Sequence, residues 1–201
     1  MKIVIISGSH RPESESARVA SFLADKLRRH WDDAVHLRDL GTDPLPLWDE
    51  GVWARTAEWE EHLAPLVREL EAADAIVVVT PEWGGMATPA IKNFLLLCPS
   101  AAVGHKPALL VTVSHSRGGA YPVAELRMSG YKNNHLCFIP EHIIVRDAAD
   151  ALQEGNPRGD SDAYLRGRVE YALALLREYG RALKGVRQSG VIDGRRFPYG
   201  M

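Results

Sequence analysis

Three stretches of this chain are continuously apolar but for Thr112, at residues 3–6, 75–79 and 108–113. A half-buried strand alternates apolar and polar residues, whereas an unbroken apolar run belongs to a strand covered on both faces. Such strands occur in parallel sheets enclosed by helices. A weaker run at residues 34–37 and another at about 136–145 bring the number of strands to five. Helical spacing fills the intervals. It links Val19, Phe22, Leu23 and Leu27, then Leu63, Leu66, Val67 and Leu70. The clearest amphipathic face joins Leu165, Val169, Ala172, Leu173, Leu176 and Leu183. This alternation predicts a doubly wound α/β fold with helices on both faces. Right-handed crossovers then favour the strand order 2-1-3-4-5.

With 201 residues the chain has the length of one domain. A net charge of −2 argues against a nucleic-acid binder, which would carry a basic excess. Cys98 and Cys137 lack the spacing of a disulfide framework or a zinc site, and no metal site is expected. The apolar run after Lys2 is too short for a signal-peptide core, and no run approaches the ~20 residues of a membrane span. The expectation is therefore a cytoplasmic protein with no membrane partner. Residues 41–55 hold Pro44, Pro46, Trp48 and Trp53 and read as a long structured loop. Gly190, Gly194, Pro198 and Gly200 stop the last helix, which divides the chain into a domain at 1–185 and a tail at 186–201. Val191, Ile192, Phe197 and Tyr199 make that tail apolar enough to pack on something.

Ligands of an open parallel sheet bind beyond the carboxyl ends of its strands. Three unusual loops leave those ends. The first, at residues 7–16, offers Gly8, the hydroxyls of Ser9, Ser14 and Ser16, the guanidinium of Arg11, and then a helix N-terminus. These are the parts of an anion site, with phosphate the obvious guest. The serines could instead cap the helix, but capping needs one serine and no arginine. GxxxxGK[ST] and GxGxxG are both absent, and the loop has no cysteine nucleophile, so a phosphate would be held and not attacked. In the second loop, at 80–89, Thr88-Pro89 opens a helix running towards Leu97. Gly84-Gly85 lets the main chain approach a flat ligand, beside Trp83 and Met86. A plain turn with a core tryptophan fits that loop equally well. The third loop, at 114–119, again combines small polar residues with a glycine pair. His115 has no triad partner and reads as an exposed loop histidine. Three such loops at one sheet edge ask for a phosphorylated, planar ligand.

These residues resemble the NADPH-dependent FMN reductase family, a branch of the flavodoxin-like fold, in order and with similar spacing from Lys2 to about Leu183. Gly8-Ser9-His10-Arg11 with Ser14 and Ser16 is similar to the family's GSxRxxS loop. Pro81-Glu82-Trp83, followed by Pro89-Ala90-Ile91-Lys92-Asn93, resembles its PEY…P…LKN signature. Ser114 through Gly118-Gly119 resembles its serine and double-glycine loop. The resemblance implies that Ser9, Arg11, Ser14 and Ser16 hold the FMN phosphate. It implies that Pro81, Glu82, Trp83, Gly84, Gly85 and Met86, with Ser114, Ser116, Gly118 and Gly119, line the isoalloxazine. Trp83-Gly84 stands where the family commonly has Tyr-Asn, which removes an asparagine contact. Lys92 and Asn93 read as helix surface and packing.

The resemblance implies NADPH or NADH as hydride donor and ping-pong transfer to a flavin, a quinone or another small acceptor. The flavin supplies the chemistry and the polypeptide supplies binding, so no catalytic side chain is expected. A flavodoxin-like electron carrier is the alternative, although such carriers are usually shorter and strongly acidic. A non-catalytic FMN-binding protein is the third reading. Trp48, Trp53 and the apolar tail point to a homodimer or homotetramer with these segments at its contacts.

Overall fold

A computed structural model describes residues 1–200. Five strands form one parallel sheet: β1 (Lys2–Ser7), β2 (Ala34–Asp39), β3 (Ala75–Trp83), β5 (Pro107–Val113) and β6 (Cys137–Val145). Their order is β2-β1-β3-β5-β6, with Ser7 paired to Val79 and Val79 to Val111. This is the expected winding. The one addition is β4 (Met86–Ala87), which turns back antiparallel on the end of β3.

The central strands are buried throughout their apolar runs, as continuous hydrophobicity requires. One core forms beneath α1 (Glu15–Trp31) and α7 (Asp160–Gln188), where Val19, Leu23, Leu27, Val169, Leu173 and Leu176 meet the sheet. The other forms beneath α3 (Ala57–Ala72), α4 (Pro89–Leu97), α5 (Ser100–Val103) and α6 (Ala120–Ser129). Edge strand β6 carries an irregularity opposite Ala108 to Leu110, around Pro140, which has no N–H for the ladder. Arg127 donates to the carbonyls of Ile139, Pro140 and Glu141 there.

Two boundaries differ from expectation. The segment 41–55 is structured, but it ends in a short helix, α2 (Gly51–Ala54), held by Asp49, which accepts from the Gly51 N–H and the Trp59 indole. Helix α7 continues past residue 185 to Gln188. Gly185 costs an exposed helix only about 1 kcal/mol, and Arg187 ties the final turn to the His105 carbonyl at 3.0 Å. The tail beyond it touches the body through the Gly200 N–H and the Lys132 carbonyl. Val191, Phe197 and Tyr199 stay largely exposed.

Candidate functional site

The first loop gathers groups that suit an anion. Ser14 is the N-cap of α1, accepting from the Ala17 N–H at 3.1 Å. Its hydroxyl proton remains free to donate outward, so capping and ligand binding coexist in this side chain. The N–H groups of Glu15 and Ser16, in the first turn, have no partner within the helix. Ser16 is buried, and among the described residues its hydroxyl has no hydrogen-bond partner; the same is true of Ser7, at the end of β1. Ser9 is buried and accepts from the Arg11 N–H at 3.2 Å. The Arg11 side chain is exposed and in no ion pair among the described residues. A buried, unpartnered hydroxyl costs about 1–3 kcal/mol. One at the end of β1 and one in the first turn of α1, with a free guanidinium on the loop that joins them, fit a phosphate dianion, and so the phosphate of an FMN. Ser7 carried no signal in the sequence beyond its place at the strand end.

The second loop is a tight hairpin. Glu82 pairs with Ala87 and Trp83 with Met86, which leaves Gly84 and Gly85 as the two-residue turn at φ +57° and +77°. Two positive φ values define the hairpin turn that favours glycine at both places. The glycine pair thus serves the turn first, and a Cβ at Gly85 would meet only open space. Trp83 is half-buried, and its ring meets His10 edge-on at 4.4 Å, which joins the second loop to the first. Thr88 caps α4 and also donates to the Gly8 carbonyl at 2.5 Å. Neither His10 nor Thr88 carries a site role in the sequence reading, because a contact between distant loops leaves no local trace.

The third loop is fastened to the second. The Glu82 carboxylate accepts the Gly119 N–H at 2.5 Å, and a Cβ at Gly118 would lie 2.7 Å from its other oxygen. Ser114 is buried and accepts from the N–H groups of Ser116 and Gly118, while Thr112 donates to the Gly119 carbonyl at 2.7 Å. Gly119 has φ +101° and lies against Ile144, so glycine is required there. Glu82 and Ser114 therefore shape the loops. Pro81 is buried in register with Val113, whereas Met86 and Ser116 are exposed at the rim. Lys92 pairs with Glu125 at 2.5 Å, and Asn93 binds both the Pro46 carbonyl and the Trp48 N–H. Both act in packing, as expected.

All three loops gather at the carboxyl ends of β1, β3 and β5. A hollow of about 260 Å³ lies elsewhere, between β1, β2 and α3 around Lys2, His36 and Glu69. None of the three hydroxyl-rich loops lines it. No group of three or more metal-ligating side chains occurs among the described residues.

A family model described as NADPH-dependent FMN reductase matches residues 1–150. The chain belongs to the NADPH-dependent FMN reductase family. It is thus an oxidoreductase that takes FMN as its flavin and NAD(P)H as its electron source. An NADPH azoreductase of Bacillus sp. (strain OY1-2) is 34% identical over 186 residues, covering 92% of this chain and 97% of that protein. An FMN-dependent NADPH-azoreductase of Staphylococcus aureus is 26% identical over 172 residues, or 84% and 90% of the two chains. FerB, a flavoenzyme NAD(P)H:(acceptor) oxidoreductase from Paracoccus denitrificans, shares the fold at a TM-score of 0.67 with 19% identity, covering 89% of this chain and 97% of that one. No described helix is long and apolar enough to cross a membrane.

Proposed function

We propose that this family member works by ping-pong transfer, taking a hydride from NADPH or NADH onto bound FMN and passing electrons to a small acceptor, with an azo compound, a quinone or a free flavin as the acceptor classes. The observation that carries this reading is the buried, unpartnered Ser16 hydroxyl at the start of α1, on the loop that also carries the unpaired Arg11. Ser9, Arg11, Ser14 and Ser16 hold the phosphate. Pro81, Glu82, Trp83, Gly84, Gly85 and Met86 form one wall of the ring site, and Ser114, Ser116, Gly118 and Gly119 form the other.

FMN supplies the hydride chemistry when bound. The chain supplies position. The Glu82–Gly119 hydrogen bond sets the spacing of the two ring loops, and the bare Gly84-Gly85 turn leaves room for a planar donor. His10 and Trp83 close the gap between phosphate and ring loops. No side-chain nucleophile or base takes part.

Residues 1–185 are read as the flavin-binding domain, in a cytoplasmic setting. The exposed Leu47, Trp53, Val191 and Phe197 support a homodimer or homotetramer with those segments at its contacts. The azoreductase names of two relatives support the azo class of acceptor. Initial rates at several fixed acceptor concentrations test the kinetic scheme. Parallel double-reciprocal lines against NADPH are expected, and intersecting lines would require a ternary complex instead.

A further inference from the structure

The proposed phosphate site uses Arg11, yet two more guanidiniums stand at the same sheet edge outside any ion pair among the described residues. Arg117, on the loop after β5, and Arg146, at the end of β6, are both exposed. Arg146 Nε donates to the carbonyls of Arg117 and Gly118, at 2.8 and 3.0 Å. This lays the Arg146 guanidinium against the main chain of Arg117. Among the described residues neither arginine forms an ion pair, whereas Arg18, Arg38, Arg158, Arg166, Arg168 and Arg177 each do.

One phosphate does not serve both places. The first loop leaves β1, the Arg117 loop leaves β5 with β3 between them, and Arg146 ends β6, one strand further. Two to three strand spacings separate the two cation sites at their bases, about 10–14 Å. A phosphate seated on Ser16 at the N-terminus of α1 is therefore out of reach of the Arg146 guanidinium. The second site lies beside Gly118-Gly119, at the ring end.

We propose that Arg117 and Arg146 form a second oxyanion site that takes the 2′-phosphate of NADPH while its nicotinamide lies against the flavin. The inference rests on the reductase reading above. NADPH differs from NADH only by a phosphate monoester, and guanidinium forks are matched in shape and charge to such a dianion. Arg146 keeps its terminal nitrogens available while Nε fixes it to the loop, so the cationic head is held in place before the ligand arrives. An anionic group on the acceptor has the same chemistry, and the test separates the two sources.

The test uses FMN-loaded protein, as wild type, Arg117→Gln and Arg146→Gln. Calorimetric titration with 2′,5′-ADP and with 5′-AMP reads the site without turnover. The wild type should bind 2′,5′-ADP more tightly, and each substitution should reduce that affinity about tenfold or more, the worth of a charge-assisted hydrogen bond. Affinity for 5′-AMP should hold. In turnover, KM should rise for NADPH and stay within about twofold for NADH. Arg117→Gln breaks no side-chain bond of the fold, so it decides the matter if Arg146→Gln also loosens the loop and weakens FMN. Equal wild-type affinity for the two nucleotides, or no change in Arg117→Gln, would overturn the proposal. A KM increase confined to an anionic acceptor would also overturn it and move the site to the acceptor. These failures leave the reductase reading intact, because that reading fails only if NADPH does not reduce the wild-type flavin.

Discussion

At the scale of single residues, the proposed phosphate site gives Ser16 opposite values in the free and loaded protein. Without ligand its buried hydroxyl lacks a partner, at a cost of about 1–3 kcal/mol. With a phosphate oxygen beside it, the same hydroxyl becomes a donor in a charge-assisted bond. Ser16→Ala should therefore leave the melting temperature of FMN-free protein unchanged or higher, and lower that of FMN-saturated protein. A loss of similar size in both states, by thermal melts with and without FMN, would mean that Ser16 serves the fold alone. Arg11 should be the larger affinity determinant. Arg11→Ala is expected to weaken FMN by about 1.5–3 kcal/mol and riboflavin, which has no phosphate, far less. Equal losses for the two flavins on titration would remove Arg11 from the phosphate site. Both candidates were legible in the sequence, because the proposed anion cradle is local, with hydroxyls, a guanidinium and a helix start inside ten positions. The Glu82–Gly119 bond spans 37 residues and the His10–Trp83 contact spans 73, counted from their numbers. Chemistry closed by tertiary contact has no spacing to read.

At the scale of elements, two devices hold the loops in place. Glu82 joins the β3–β4 hairpin to the Gly118-Gly119 turn. Glu82→Ala leaves the Gly119 N–H without its partner and should weaken FMN and riboflavin equally, by about 1.5–3 kcal/mol. This is the opposite pattern to Arg11, and titration with the two flavins tells them apart. A loss specific to FMN would contradict the positioning role. The second device is Asp162, near the start of α7. Burial alone would raise its carboxyl, but the N–H groups of Leu152 and Arg158, at 2.8 and 3.0 Å, and the Arg166 guanidinium hold it below the ordinary range. A depressed carboxyl stabilises the fold above its unfolded value near 3.8 and loses that contribution as pH falls through the lower folded value. Asp162→Asn should cost about 3 kcal/mol near neutral pH and flatten the acid limb of a stability–pH profile. An unchanged limb would assign acid sensitivity to other carboxylates. The strands and long helices were readable because burial on both faces and a 3.6-residue period are both written along the chain. The two-residue strand β4 and helix α6 were not. The first is shorter than any period, and α6 places exposed Tyr121 and Met128 among its apolar residues.

For the whole molecule, the winding of five parallel strands brings three loops from distant parts of the chain to one edge, and the family match makes the chain an FMN-dependent oxidoreductase. Exposed apolar side chains remain outside these three loops, with Trp53 and Leu47 each 77% exposed and Val191 75% exposed. Light scattering at micromolar concentration should return a dimer or tetramer, and a monomer would contradict the proposed contacts. The central claim is that this edge holds an FMN that NAD(P)H reduces directly. Anaerobic mixing of FMN-loaded protein with NADPH, followed by absorbance, tests it with no acceptor present. The expected result is rapid loss of the yellow colour by two-electron reduction. A holoprotein that stays yellow with both NADPH and NADH, yet bleaches with dithionite, would contradict the claim and leave an electron carrier or a binding protein in its place.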